Sequence, residues 1–552
     1  MARAQLALAV ATAVALLALS SMGGAAMQQT PKRGGTLVVG SVREPACINA
    51  FLIRCGDLSD IGHLMAPAIR GAFKVGPGLT WQPDLATAEI TKTPPFTVTY
   101  HIRPEARWSD GVPVTAGDFV FTHETRRAHA EELINFEKEQ LRAIRSVRAV
   151  GPKTVEVVLN SRDSLWRGFF SRILPRHALR GEDFSRVWLD RIVNPKTAAP
   201  IGSGPFLVRG LERGRGITYV RNTSFWGSHT AYLDRIELRY CRAPCADLGS
   251  DQVDLLRRRA ADLVVTRVGS KEQVGELRSL PDVRVLAAPG PVWEAVQIRV
   301  GTGGHRALKQ KLVRRALAYG IDRVAVVQAL YGDIGVRYPP SDSGIYALGS
   351  VHYRPNWNAY RYRPADSRRL LEQAGCSRGG DGIYECAGER LSLRFGTPVD
   401  DPLRVATFGL VQGQLRRAGI EARAEFAPRS VFFGEVLPSS DFDLALWGLD
   451  RQTPDSPAQM IVVYGCGERR NYGGYCQRIL TRDLDQARRI LDVTELARVL
   501  NRADAQLARD VPVIPLLQRP LVAAMSSSLR NVSLATRNGD PFANAENWWL
   551  DR

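Results

Sequence analysis

His123-Glu124 opens like the zinc helix of a metalloprotease, where a glutamate works between two histidines that share one helix face. Arg127 stands where the second histidine is needed, and His129 comes too late to share that face. The eight histidines are thinly spread and form no ligand spacing, so no metal site is expected. Asp400/Asp401 and Asp441/Asp443 pair carboxylates as acid–base work requires, but in loop and strand-edge sequence such acids are solvated. There is no G-x-S-x-G elbow, no P-loop and no G-x-G-x-x-G following a strand. The reading is therefore no enzyme, no catalytic residue and no cofactor. An extracytoplasmic hydrolase whose acids are distant in sequence is the third-ranked alternative.

Cysteine chemistry is the clearer signal. Eight cysteines fall into four neighbouring couples, Cys47/Cys55, Cys241/Cys245, Cys376/Cys386 and Cys466/Cys476. An even count with local spacing fits disulfides formed in an oxidising compartment. Zinc would need two couples with short spacing, and only the Cys241/Cys245 stretch comes close. The amino terminus agrees with export. Arg3 precedes an apolar Ala/Leu run from Ala4 to Leu19, then Gly24-Ala25-Ala26, the form of a signal peptide (1–26) cleaved after Ala26. That run is short for a membrane span, which takes about 20 residues. No cysteine stands between it and Cys47, so no lipid-anchor cysteine is expected and the mature chain should be extracytoplasmic.

The formal charge of +18 would attract anions. No recognition helix, zinc finger or RNA-binding aromatic motif organises it, so a scattered basic surface is expected and nucleic acid is not. A chain of 552 residues exceeds a single core, which stops growing near 250–300 residues, roughly.

Period-2 alternation marks strands at Thr97–Arg103 and Val155–Leu159. Ser109-Asp110-Gly111 is turn chemistry, and Thr115 with Asp118 makes a capping box for the helix that follows. A polar helix is expected over Ala128–Arg145. Further helices are expected near Asp251–Ala260 and Lys271–Leu280, over Leu403–Ala418, and in a last one capped by Thr494. Leu308, Leu312 and Ala316 repeat as one helical stripe, with Lys309, Lys311, Arg314 and Arg315 on a solvated face. Leu37–Gly40, Leu391–Phe395, Ile420–Phe426 and Pro512–Leu517 read as further strands. Strands alternating with amphipathic helices point to α/β lobes.

RWSDGVPVTAGDFVFT (Arg107–Thr122) resembles a segment of the substrate-binding proteins of oligopeptide- and dipeptide-type ABC transporters, extracellular solute-binding protein family 5. The same order of pieces continues through the chain. GGTLVVG (Gly34–Gly40), WQPDLA (Trp81–Ala86), IGSGPFLVRG (Ile201–Gly210), ITYVRNTSFWG (Ile217–Gly227), LVRRALAYGIDR (Leu312–Arg323), FDLALWGLD (Phe442–Asp450) and VPVIPLL (Val511–Leu517) all take the family's positions. The resemblance implies a periplasmic-binding-protein-like type II fold, two lobes with a hinge plus an extra subdomain inserted in the first lobe. It divides the chain into lobe I at 34–63, the inserted subdomain at 64–195, lobe I again at 196–291, lobe II at 292–510 and a return to lobe I at 511–552.

Within that resemblance, Trp447-Gly448-Leu449-Asp450-Arg451 matches the motif whose acid pairs with a ligand's α-amino group. Asp450 matches the acid, and the backbone of Gly448 and Leu449 would edge the cleft. Arg451 departs from the family's tyrosine, and a guanidinium there either neutralises Asp450 or grips a ligand carboxylate. The segment Asn49–Ile61, a cleft loop in relatives, would be reshaped by a Cys47–Cys55 bridge. The expected function is capture of a ligand, a peptide in the first place, between two lobes, and its delivery to an ABC permease in the membrane by a monomeric protein. The alternative keeps the fold and binds a sugar, metal chelate or amide antibiotic, or acts as a sensor.

Overall fold

The computed structural model describes residues 30–56, 58–241, 248–266, 271–332, 334, 338–450, 457, 460–534 and 542–552; the signal peptide expected at 1–26 lies outside them. Ten strands form one continuous mixed sheet. In chain order they are Thr36–Val42 (β1), Phe206–Glu212 (β2), Gly216–Arg221 (β3), Arg235–Tyr240 (β4), Leu263–Thr266 (β5), Val283–Ile298 (β6), Ser392–Pro398 (β7), Glu421–Ala427 (β8), Leu444–Asp450 (β9) and Val513–Ser526 (β10). Their spatial order is β8-β7-β9-β6-β10-β5-β1-β4-β3-β2. Two strands therefore stand between the halves of the sheet.

Those two, β6 of 16 residues and β10 of 14, run antiparallel through both halves. Val283–Pro289 pairs with the Pro520–Ser526 end, and Trp293–Gln297 with the Val513–Gln518 end; the register breaks between Pro289 and Trp293. Prolines cannot donate to a ladder, so Pro289 opposite Pro520 weakens the sheet at that point. Gly290 is needed there, because a Cβ would stand 2.5 Å from the Arg519 carbonyl.

Two large cores flank this crossing. One gathers Leu37, Tyr100, Trp108, Phe119, Phe170, Ile236 and, from the far end of the chain, Met525 and Trp548. The other gathers Val296, Leu317, Phe395, Val411, Leu446, Leu500 and Ile514. The first includes a four-stranded antiparallel sheet, Ala86–Ile90, Thr97–Ile102, Thr154–Leu159 and Ile144–Gly151, packed on helix Ala116–Ala128 (α1). The Thr115 amide donates to the Asp118 carboxylate at 2.7 Å, which starts α1 as its sequence predicts. Gly111 sits at φ +88°, the left-handed region its turn requires. The lobes also touch away from the crossing. The Ser164 amide donates to the Arg488 carbonyl at 2.7 Å, and the Val351 amide to the Gly78 carbonyl at 3.1 Å.

Several local expectations are corrected. The single helix over Ala128–Arg145 is two pieces. α1 ends at Ala128, Ile134 is extended, a second helix covers Asn135–Ala143, and Arg145 already belongs to a strand. Leu308 sits in a short 3-10 turn before helix Lys311–Gly320 (α2), not on it. Arg314 is buried, not solvated. It donates to the carbonyls of Asp510, Leu308 and Lys309, acceptors that the end of a turn leaves open. Helix Pro402–Arg417 (α3) matches its predicted span. The last helix, Val493–Asp510 (α4), is capped by Asp492 and not Thr494, because the Asp492 carboxylate reaches the Glu495 amide at 2.8 Å.

Candidate functional site

β9 is an inner strand of the second half of the sheet, antiparallel to β6 and parallel to β7. Parallel neighbours end on the same edge, so Pro398 and Asp450 face the same way. In open α/β sheets ligands lie beyond the carboxyl ends of such strands. The amino terminus of α3 follows β7 at that edge, with Asp401 accepting from its own helix at the Arg404 amide, 3.3 Å. Asp450 stands opposite Val292, Leu449 opposite Trp293, Gly448 opposite Glu294 and Trp447 opposite Ala295. Trp447 and Leu449 turn their side chains into the second core, so only their backbone is available to edge a cleft. The Asp450 side chain and Arg451 lie outside the described residues.

Directly behind this strand is a group of four buried charges. Arg404 donates through Nε to Glu294 Oε2 at 3.0 Å and through Nη2 to Oε1 at 2.9 Å. Arg519 donates through Nε to Glu294 Oε1 at 2.6 Å and through Nη2 to Asp401 Oδ2 at 2.8 Å. All four residues are buried. Burial alone would push the Glu294 carboxyl up, but the guanidiniums of Arg404 and Arg519 outweigh it and hold it at about 2. Asp401 thus corrects the solvated reading of Asp400/Asp401. Asp443 does the same for Asp441/Asp443: it is buried and accepts from the amides of His305 at 2.9 Å and Arg394 at 2.8 Å. The signal that could have found the quartet is Glu294 in the apolar run VWEAVQI and Arg519 in LLQRPLV, since a charge inside a buried strand must meet a partner.

Gly448 makes room for this group. A Cβ there would meet Glu294 Oε1 at 2.9 Å, Val292 Cγ1 at 3.0 Å and Arg404 Nη2 at 3.1 Å. The opposite face of β9 is supported by a disulfide loop. Cys466 and Cys476 are bonded, and Asn471 inside the loop donates to the carbonyls of Gly465 and Tyr475 at 2.7 and 2.6 Å. Its Tyr472 ring lies 5.8 Å from the Trp447 ring, while the Tyr472 carbonyl accepts from Arg299 at 2.7 Å.

The remaining cysteines follow their expected couples where they are described. Cys47–Cys55 and Cys376–Cys386 are bonded; Cys241 is also disulfide-bonded, and Cys245 lies outside the described residues. The Cys47–Cys55 segment docks in the first core, with Asn49 Nδ2 donating to the Val187 carbonyl and the Ile134 amide to the Phe51 carbonyl. Among the described residues no cluster of three or more His, Cys, Asp or Glu could hold a metal ion. None of their helices is long and apolar enough to cross a membrane.

Residues 80–471 match the family model of bacterial extracellular solute-binding proteins, family 5. The oligopeptide-binding protein OppA of Mycobacterium tuberculosis is 26% identical over 518 residues, covering 91% of this chain and 84% of that relative. Among solved structures, the periplasmic EDTA-binding protein EppA superposes with a TM-score of 0.79 at 22% identity, covering 95% of this chain and 98% of that one. The oligopeptide-binding protein AppA of Bacillus subtilis, solved with a nonapeptide, superposes at 0.67 and 21% identity, covering 95% and 100%. These likenesses show the fold: α/β, two lobes in the type II arrangement of periplasmic binding proteins.

Proposed function

Because the chain belongs to the bacterial extracellular solute-binding proteins of family 5, we propose that it captures a peptide between its two lobes and delivers it to an ABC transporter permease. The observation that carries this is two large cores linked through two long strands, whose ladder is broken at Pro289–Gly290 opposite Pro520. Such a crossing permits rigid-body closure, and closure buries a ligand at the lobe interface. The carboxyl edge of β9 supplies backbone groups that an extended peptide can pair with. Asp450, by its motif position, is the partner for a dehydrated ammonium, which would be costly to bury alone. Arg451 beside it is the element that modifies a plain preference for a free amino terminus.

The lobe division at 34–63, 64–195, 196–291, 292–510 and 511–552 belongs to this reading. So do a cleaved leader at 1–26, a monomeric mature protein, and binding without bond chemistry or nucleic acid. A second reading, a metal chelate as ligand, is favoured by the likeness to the EDTA-binding protein EppA and to NikA of Brucella suis, solved with Fe(III)-EDTA. Native mass spectrometry of the purified mature protein tests both readings. Co-purified or added peptides should appear as bound mass and be released intact, whereas a chelate carries its metal's isotope pattern. Recovery of cleaved peptide products would replace capture with hydrolysis.

A further inference from the structure

We infer that Arg519 is the joint of a positioning device in which the Glu294–Arg404–Arg519–Asp401 quartet ties the β9 strand to the hinge. This rests on the solute-binding reading for its purpose, but its geometry stands independently. The four side chains come from three elements: Glu294 from β6, Arg519 from β10, and Asp401 and Arg404 from the start of α3. Two positive and two negative charges cancel, so the group offers no net attraction to a charged ligand. Buried ion groups of this kind are also poor sources of stability compared with apolar packing of the same volume. What they supply is a fixed arrangement, because removing one partner strands a buried charge.

The position of that arrangement is informative. Arg519 immediately precedes Pro520, which pairs with Pro289 at the break between the two halves of the sheet. Glu294 lies opposite Gly448, two residues before Asp450. The quartet therefore touches both the pivot and the strand proposed to meet the ligand. Arg519 spans it with a planar fork, Nε on Glu294 and Nη2 on Asp401, which a lysine cannot reproduce. Arg519 must consequently travel with the second lobe. Any rotation between lobes falls on its other side, at Gly290 and Pro520, where Gly290 closely meets the Arg519 carbonyl. Gln518, next in line, is locked in the same sense: its side chain donates to the Gly290 carbonyl and accepts from the Leu348 amide at 2.7 Å.

Backbone hydrogen exchange in the full mature chain, read by mass spectrometry without ligand, tests this directly. Arg519→Lys keeps the charge and loses the fork; Glu294→Gln keeps the shape and loses the charge, and serves if the first variant does not fold. The expected result is about tenfold faster exchange confined to peptides covering 286–294 and 444–450, with the 97–102 strand unchanged. Peptide affinity should fall by about the factor by which the competent arrangement is depopulated. Unchanged exchange in both segments, or uniform acceleration in both lobes, overturns the inference. Failure of the solute-binding reading would look different: no ligand shifts any segment of the wild type, while the contrast between wild type and variant persists.

Discussion

Glu294 occupies the space that a side chain at Gly448 would need: its Oε1 lies 2.9 Å from the position of a Cβ there. The two residues face each other across β6 and β9, so neither can step aside without disturbing the ladder. Glu294 is further held by Arg404 and Arg519. Gly448→Ala is therefore expected to cost roughly 1–3 kcal/mol, as overpacking does in a rigid core. Calorimetric melting of the variant checks this; an unchanged Tm would mean that the charged group yields freely.

Asp450→Ala is expected to weaken binding of peptides with a free amino terminus by at least about tenfold, near 1.4 kcal/mol. The cause, on the proposed reading, is loss of the carboxylate at the end of β9 that would pair with the ligand's ammonium. Isothermal titration with matched free and N-acetylated peptides separates this from a general defect. The variant should bind both equally, and an unchanged preference for the free form would remove Asp450 from the site.

The Cys466–Cys476 bridge acts on the same strand from its other face through Tyr472 and Trp447. Replacing both cysteines by serine should cost about 2–3 kcal/mol for a loop of this length and also reduce ligand affinity. Replacing Cys376 and Cys386, which close the loop of a separate three-stranded sheet, should lower stability alone. Denaturant melts and titrations on both double variants make the comparison. Equal affinity in the two would break the link between the disulfide loop and β9.

Asp504, fully buried in α4, accepts from Ser343 Oγ at 2.7 Å, the Gly344 amide at 2.8 Å, Asn356 Nδ2 at 2.8 Å and Trp357 Nε1 at 2.9 Å. It thereby fixes the segment that carries Val351 to Gly78 in the first lobe. Asp504→Asn turns two of those acceptor directions into donors, leaving buried donors facing donors. The expected loss is about 3 kcal/mol, read as a fall in the urea midpoint with an unchanged slope.

Elements held together locally were legible in the sequence. The strand at Thr97–Ile102, helix α3 and the couples Cys47/Cys55, Cys376/Cys386 and Cys466/Cys476 depend on alternation, helical spacing or residues ten or fewer apart. The quartet behind Gly448 was not. Its hydrogen bonds join residues separated by 110, 118 and 225 positions, and no local pattern records such a partner. For the same reason Asp401, Asp443 and Arg314 read as solvated when each is buried against distant groups. The helix expected to run through Leu133 failed differently: Ile134 turns extended so that its amide can meet the Phe51 carbonyl, a tertiary contact that overrides helical preference.

His123, on the buried face of α1, gives the chain an acid-sensitive point. Among the described residues neither ring nitrogen has a hydrogen-bond partner. Burial first, and then the positive charges of Arg126 and Arg127, hold its pKa down at about 4. In the unfolded chain it titrates near its ordinary value of about 6.5. Between those values the unfolded chain binds a proton that the folded one refuses, so stability falls as pH drops from 6.5 toward 4, by up to about 1.4 kcal/mol per pH unit. Below about 4 the folded form accepts the proton too, and this contribution stops growing. His352 is held below its usual value as well, by burial and Arg354, and adds to the same slope. Urea melts at pH 7, 6, 5 and 4 should therefore show a declining stability that His123→Leu flattens most and a second change at His352 flattens further. A slope unaffected by His123→Leu would place the acid sensitivity elsewhere in the fold.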